Sequence, residues 1–184
     1  MGLNIFFGKK TVKPPDPLKD LILSNLRVGW LVDFDMKTWR TEAYHYYDWG
    51  SGDISFEWQL KSHDETIYLE KTSDDEDDWS ISRKIPISRV GSGIIQHITE
   101  YENPPDQIVF EGTAFYLDET GGGYFYENGN GPGQELLKWD YADDSGNRYL
   151  SIEQWGEEDF EASTGIAVQE YQFTNILPSE DASK

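Results

Sequence analysis

Cysteine is absent from this 184-residue chain. Disulfides, zinc–thiolate sites, iron–sulfur clusters and thiol nucleophiles are therefore excluded. A chain of this length can bury roughly 70% of its unfolded surface, so its core needs no such staples. The lack of Cys fits a reducing compartment, and the chain is read as cytoplasmic. Positive charge is also scarce: 15 Lys+Arg stand against 35 Asp+Glu, a formal net charge of −20. Such a surface is repelled by nucleic acid, whose binding rests on Lys and Arg meeting phosphate. Anionic membranes repel it too. The favoured partners are cationic: metal ions, polyamines or a protein with a basic surface.

Long apolar runs are missing as well. No stretch approaches the eighteen or so apolar residues of a membrane span, so no transmembrane segment is expected. The opening residues, MGLNIFFGKK, lack the cleavage site of a secretory signal, and Phe6 stands where a myristoylation signal needs Ser or Thr. Leu3, Ile5, Phe6 and Phe7 followed by Lys9 and Lys10 leave peripheral membrane contact open, beside the plainer reading of a frayed end.

Signatures of catalysis are not found. His45, His63 and His97 have no zinc-ligand spacing, and no G-x-S-x-G elbow occurs. Carboxylates are too many for a glycosidase pair to be picked out. No catalytic residue, metal or cofactor is assigned, and the chain is read as non-enzymatic.

What is present is aromatic. Seven Trp, eleven Tyr and nine Phe make 15% of the residues, well above a disordered acidic chain. They alternate with polar residues, which points to sheet. Strands are expected over 30–35, 38–47, 54–61, 65–72 and 78–87. A second set is expected over 107–111, 113–119, 122–127, 134–142, 147–155, 158–162 and 167–174. Asp16 and Pro17 suit the start of a helix carrying Leu18, Leu21, Ile22 and Leu26 on one face and ending at Gly29. Ile94–Thr99 reads as a second short helix.

The phrase DWGSGDISFEW (48–58) recurs as GNGPGQELLKW (129–139). A shift of 81 positions puts Gly50 on Gly131, Gly52 on Gly133, Trp58 on Trp139, Tyr68-Leu69 on Tyr149-Leu150, and Asp78-Trp79 on Asp159-Phe160. A phosphate loop would need a helix after the glycines, whereas here strand pattern follows each pair. The pairs are read as hairpin turns. Phe56, Trp58 and Leu60 share one strand face, as do Leu137, Trp139 and Tyr141, and both sets read as core. The chain is thus divided into an N-terminal extension (1–17), a first β repeat (18–87), a linker (88–106), a second β repeat (107–178) and a tail (179–184).

Two acidic stretches are candidates for binding. Asp74–Asp78 (DDEDD) lacks the alternation and central Gly of a calcium loop and reads as a solvated tip, with weak divalent-metal binding as the alternative. In EQWGEED (153–159), the segment where the repeats diverge, Trp155 stands among Glu153, Glu157, Glu158 and Asp159. These five form the candidate ligand site: an indole ringed by carboxylates suits an ammonium ion. The same Trp155 reads equally as a lid on the core.

The phrases LRVGWLVDFDMKTWRTEAYHYYDWGSGDISFEWQLKSHDETIYLEK, DDWSISRKIPI, PPDQIVFEGTAFYLDE, KWDYADDSGNRYLSIEQWG and YQFTNILP resemble a bacterial family of uncharacterised domains, domain of unknown function four-one-seven-eight. The likeness covers about residues 18–178 and carries no catalytic signature. The family's genes tend to lie near those for phage-shock-type and polyamine-synthase-like proteins. The resemblance therefore implies an accessory role in envelope stress or a connection with polyamines. One departure is Trp30, standing after Val28-Gly29 where the family usually has an acid.

The sequence is read as an all-β protein of two tandem, pseudo-symmetric antiparallel units, barrel- or sandwich-like, with one or two short helices. Its expected role is that of a non-enzymatic acidic interaction protein. The alternative is a binding module for a cationic small ligand such as a polyamine or a divalent metal. A flat acidic face favours the first, and a pocket lined by aromatics and carboxylates favours the second.

Overall fold

Positive φ at Gly50, Ser51 and Gly52 turns the chain back on itself, and Gly50 faces Asp53 across the turn. The first G-x-G is a hairpin turn, and the second likewise leads directly into a strand, through positive φ at Gly129 and Gly131. The computed structural model describes residues 20–73 and 76–179. The early extension, Asp74, Asp75 and the last five residues of the tail lie outside it.

Eleven strands form one antiparallel sheet. In the first half they are β1 (Leu31–Phe34), β2 (Lys37–Gly50), β3 (Asp53–Lys61), β4 (Thr66–Ser73) and β5 (Asp77–Ile85). Two helices follow, α1 (Ile87–Val90) and α2 (Ile94–Tyr101). The second half has β6 (Gln107–Phe110), β7 (Thr113–Tyr126), β8 (Gln134–Asp143), β9 (Arg148–Gln154), β10 (Phe160–Val168) and β11 (Thr174–Leu177). The order is β11-β1-β2-β3-β4-β5-β10-β9-β8-β7-β6, and β2 also pairs with β7. That extra pairing closes eight strands into a ring, β2 to β5 and β10 back to β7, with the short end strands outside it. The two repeats meet edge to edge at two seams, β5–β10 and β2–β7.

Two cores lie on the outer side of the ring, one over each half, and Val168 and Phe173 of the second half pack into the first. In the first, Trp58, Leu60, Ile67, Leu69 and Ile81 pack with Val32, Phe34 and Trp39, under Leu23 and Leu26. In the second, Trp139, Tyr141, Leu150 and Ile152 pack under Val90, Ile94 and Ile98, so residues of the linker cover the second core. The two repeated tryptophans tie down these covers. Trp58 Nε1 donates to the Leu26 carbonyl at 3.0 Å, and Trp139 Nε1 donates to Asn103 Oδ1 at 3.4 Å. Leu137 departs from the expected core face: it is exposed, lying beyond the rim of the second core, while Leu136 is buried on the opposite face.

Three local expectations are corrected. Among the described residues the early helix is reduced to a 3-10 turn at Leu23–Asn25. Tertiary partners decide this: Leu23 N–H donates to Glu170 and the Leu26 carbonyl is taken by Trp58. Strands expected over 113–119 and 122–127 are one strand, β7, running through Gly121–Gly123. The fixed 81-position shift also breaks at β4 and β9. Trp58 faces Leu69, but Trp139 faces Ile152, because the β8–β9 hairpin is two residues longer. The shift returns at the next strand, where Trp79 and Phe160 face Lys71 and Gln154. Glu70 is therefore the structural counterpart of Glu153, and Glu57 that of Lys138.

The β2–β7 seam depends on glycine. A Cβ at Gly123 would lie 2.6 Å from the Asp48 carbonyl oxygen and 2.8 Å from the Trp49 ring. Gly123→Ala must part these strands, and it is expected to lower Tm by several degrees in a thermal melt. An unchanged Tm would show that the seam does not hold the ring closed.

Candidate functional site

Strand alternation puts the apolar side chains of the ring outward, so the polar ones point in. In β2 the sides exchange at the irregularity between Thr41 and Ala43, and in β7 at that between Leu117 and Glu119. Beyond those bulges His45, Tyr47, Trp49, Glu119 and Gly121 join the inner face. The result is a solvent-connected cavity of about 1300 Å³ touched by all eight ring strands. An eight-stranded ring is wide enough to hold one small ligand. Eleven of its lining residues are Asp or Glu and two are Lys. Tyr47, Trp49, Tyr68, Phe125 and Trp155 supply aromatic wall.

Two cross-strand rows face each other in this cavity. The first runs His45, Glu57, Glu70, Ser80 across β2 to β5. Its counterpart runs Gly121, Lys138, Glu153, Glu161 across β7 to β10. Each row sets two glutamates directly opposite one another, Glu57 with Glu70 and Glu153 with Glu161. Like charges in that position are destabilising.

Lysines relieve one glutamate of each pair. Lys138 reaches across the ring to Glu70 at 3.4 Å and also to Asp140 at 3.4 Å. Lys84 pairs with Glu161. Lys138 is the one buried charged side chain among the described residues. Its Nζ lies 5.8 Å from the Tyr47 ring and 5.7 Å from the Trp49 ring, which stack on each other. Burial alone would push this ammonium's pKa down, but Asp140 and Glu70 outweigh it and hold it up.

Glu57 and Glu153 have no ion pair among the described residues. Both instead approach the Tyr47 hydroxyl at 3.5 Å. Burial pushes Glu57 up to about 8, with the charges of Glu153 and Glu70 adding to it. Burial raises Glu153 to about 7 against the pull of Lys138. Burial also raises Tyr47 well above the ordinary phenol range and lowers His45, whose Nδ1 accepts the Asn128 N–H at 3.1 Å.

Of the five residues singled out in the sequence, Glu153 lies in the cavity. Trp155 forms part of its wall, edge-on to Phe125, with its Nε1 buried and without a hydrogen-bond partner. Asp159 is exposed at the rim, and its carbonyl accepts the Trp155 N–H. Glu157 and Glu158 are exposed at the β9–β10 tip, away from the cavity lining. Of the acidic run Asp74–Asp78, Asp77 pairs with Lys71 at 2.8 Å. No group of three His, Cys, Asp or Glu able to hold a metal occurs among the described residues. Glu57, Glu70, Lys84, Lys138 and Tyr47 were not singled out from the sequence. A polar strand face looks the same there whether it meets solvent or a lumen.

The profile of the family described as Domain of unknown function (DUF4178) matches residues 27–170. The chain belongs to that family. The match spans the ring from before β1 to just past β10, so every cavity residue named above lies inside the DUF4178 region. A relative in Aquifex aeolicus (strain VF5), named Uncharacterized protein, is 23% identical over 172 residues, covering 94% of each chain. No solved structure matches. No helix among the described residues is long and apolar enough to cross a membrane.

Proposed function

We propose that this protein is a binding module for a small organic cation carrying an ammonium group, such as a polyamine, held in the ring cavity. The observation that carries the reading is the pair Glu57 and Glu153, two enclosed carboxyls without a cationic partner facing one aromatic-walled cavity. The ring keeps two like-charge pairs on its inner face at a cost in stability, as binding sites commonly do. Lys138 supplies the pattern for such a ligand: an ammonium between two carboxylates and above two aromatic faces. A cavity lined by aromatics and carboxylates, rather than a flat acidic face, supports the ligand-module reading. The accessory-protein reading keeps one supporting feature. The outermost strands of the sheet, β6 and β11, carry exposed Val109 and Leu177 and could take up a partner strand.

The test is a thermal-shift and tryptophan-fluorescence titration with 1,4-diaminobutane, spermidine and the neutral isostere 1,4-butanediol. The amines are expected to raise Tm and change the emission of Trp49 and Trp155, while the diol does neither. Trp155→Ala is expected to weaken amine binding by tenfold or more, about 1.4 kcal/mol, while moving Tm only slightly. Equal effects of diol and amine, or none, would refute the reading. A large fall in the Tm of Trp155→Ala would make that residue a core lid instead.

A further inference from the structure

Resting on the cation-binding reading, we infer that a primary ammonium seats between Glu57, Glu153 and the Tyr47 hydroxyl in exchange for a proton held by the two carboxyls, so that ligand loading and proton release are one event.

Two carboxylate oxygens gather at one phenol oxygen. The two glutamates lie on facing halves of the ring, and each brings a carboxylate oxygen to 3.5 Å from Tyr47 Oη. The phenol has one O–H to give, so it can satisfy only one of the two at a time. The other carboxyl is left without a donor unless it is itself protonated. A primary ammonium has three N–H donors and matches the three oxygens. A quaternary ammonium has none and cannot make this set of bonds.

Every neighbouring charge is already committed. On β8, Lys138 is taken by Glu70 of β4 and by Asp140. On β5, Lys84 is taken by Glu161 of β10. On β2, His45 faces Glu57 across the ladder, but its Nδ1 is an acceptor and burial keeps the ring neutral. Tyr68 on β4 lies under Lys84, and Glu119 on β7 faces Asp140. None of these offers a spare cation to Glu57 or Glu153. In the empty protein the charge of the pair is therefore relieved by a proton. Burial agrees with this by raising both carboxyls toward neutral pH. When the ammonium enters, the carboxyl proton leaves to solvent and the ammonium keeps its own three, so charge and protons balance.

Isothermal titration of the full chain with 1,4-diaminobutane, in phosphate and in HEPES at pH 7.5, buffers without a primary ammonium, tests this. The observed heats should differ by the buffers' ionisation heats multiplied by about one proton released per ligand. Affinity should fall at least tenfold per pH unit below 7.5, more steeply toward pH 6, where the second carboxyl also holds a proton that the ligand must displace. Tetramethylammonium should bind at least tenfold more weakly. Glu57→Gln should bind the diamine more weakly, with the proton count near zero. Diamine binding with no proton release, or tetramethylammonium binding as well as the diamine, overturns the exchange while leaving cation binding in place. No binding of either cation overturns both.

Discussion

At pH 8 the double variant Glu57→Gln/Glu153→Gln is expected to melt roughly 5–10 °C above the unaltered protein, and to have lost its response to amines. Both carboxyls sit above their ordinary value of 4.5 in the folded chain. The fold therefore favours their protonated forms. The stability that follows is fully present below about pH 4.5 and is lost as pH rises through about 7 for Glu153 and about 8 for Glu57. At roughly 1.4 kcal/mol per unit, discounted for water in the cavity, ionising the pair costs on the order of 2–4 kcal/mol. A degree count follows from about 2–4 °C per kcal/mol for a chain of this size. Glutamine keeps the shape without the charge. Melts between pH 5 and pH 8 should show a slope in the unaltered protein that the variant lacks, and the two curves should converge near pH 5. A variant that melts lower at pH 8 would mean that the glutamates serve the fold rather than a ligand.

The second large effect is structural. Trp58→Ala and Trp139→Ala are each expected to cost about 3–5 kcal/mol, since both rings are fully buried. Tm should fall by roughly 10 °C or more in each. Each change also frees the segment that the indole N–H holds, Leu26 in one case and Asn103 in the other. Trp→Phe at the same positions should recover most of the loss, because it restores ring area and forfeits only one hydrogen bond. A near-neutral result at either position would contradict the paired-core description.

The outer face of the ring was legible in the sequence. Trp58 and Trp139, their glycine turns and the alternation around them signalled two β units with a shared core pattern. Burial enforces that pattern on both copies. The inner face was not legible, for three physical reasons. Glu57, Glu70 and Lys138 occupy positions that alternation assigns to water, and only ring closure turns them inward. Closure in turn rests on two bulges and on Gly123, and a run of three glycines read more naturally as a break than as a strand under Trp49. The slip of two residues between β4 and β9 also hid the match of Glu70 with Glu153, while the repeated Tyr-Leu pair suggested another alignment. Glu153 and Trp155 were found through the divergence of the copies at EQWG, which the two-residue slip creates, since Glu70 holds the place of Glu153 in the first copy. Glu157 and Glu158 followed from proximity in sequence, and the hairpin tip carries them away.

The ring is proposed to hold a small organic cation at Glu57 and Glu153. Native mass spectrometry of the protein gently purified from its own cells tests it most directly. The expected result is a complex heavier by the mass of a small amine, with loss of that mass when both glutamates are replaced by glutamine. A chain that carries no small molecule, or one whose added mass survives the double replacement, would contradict it.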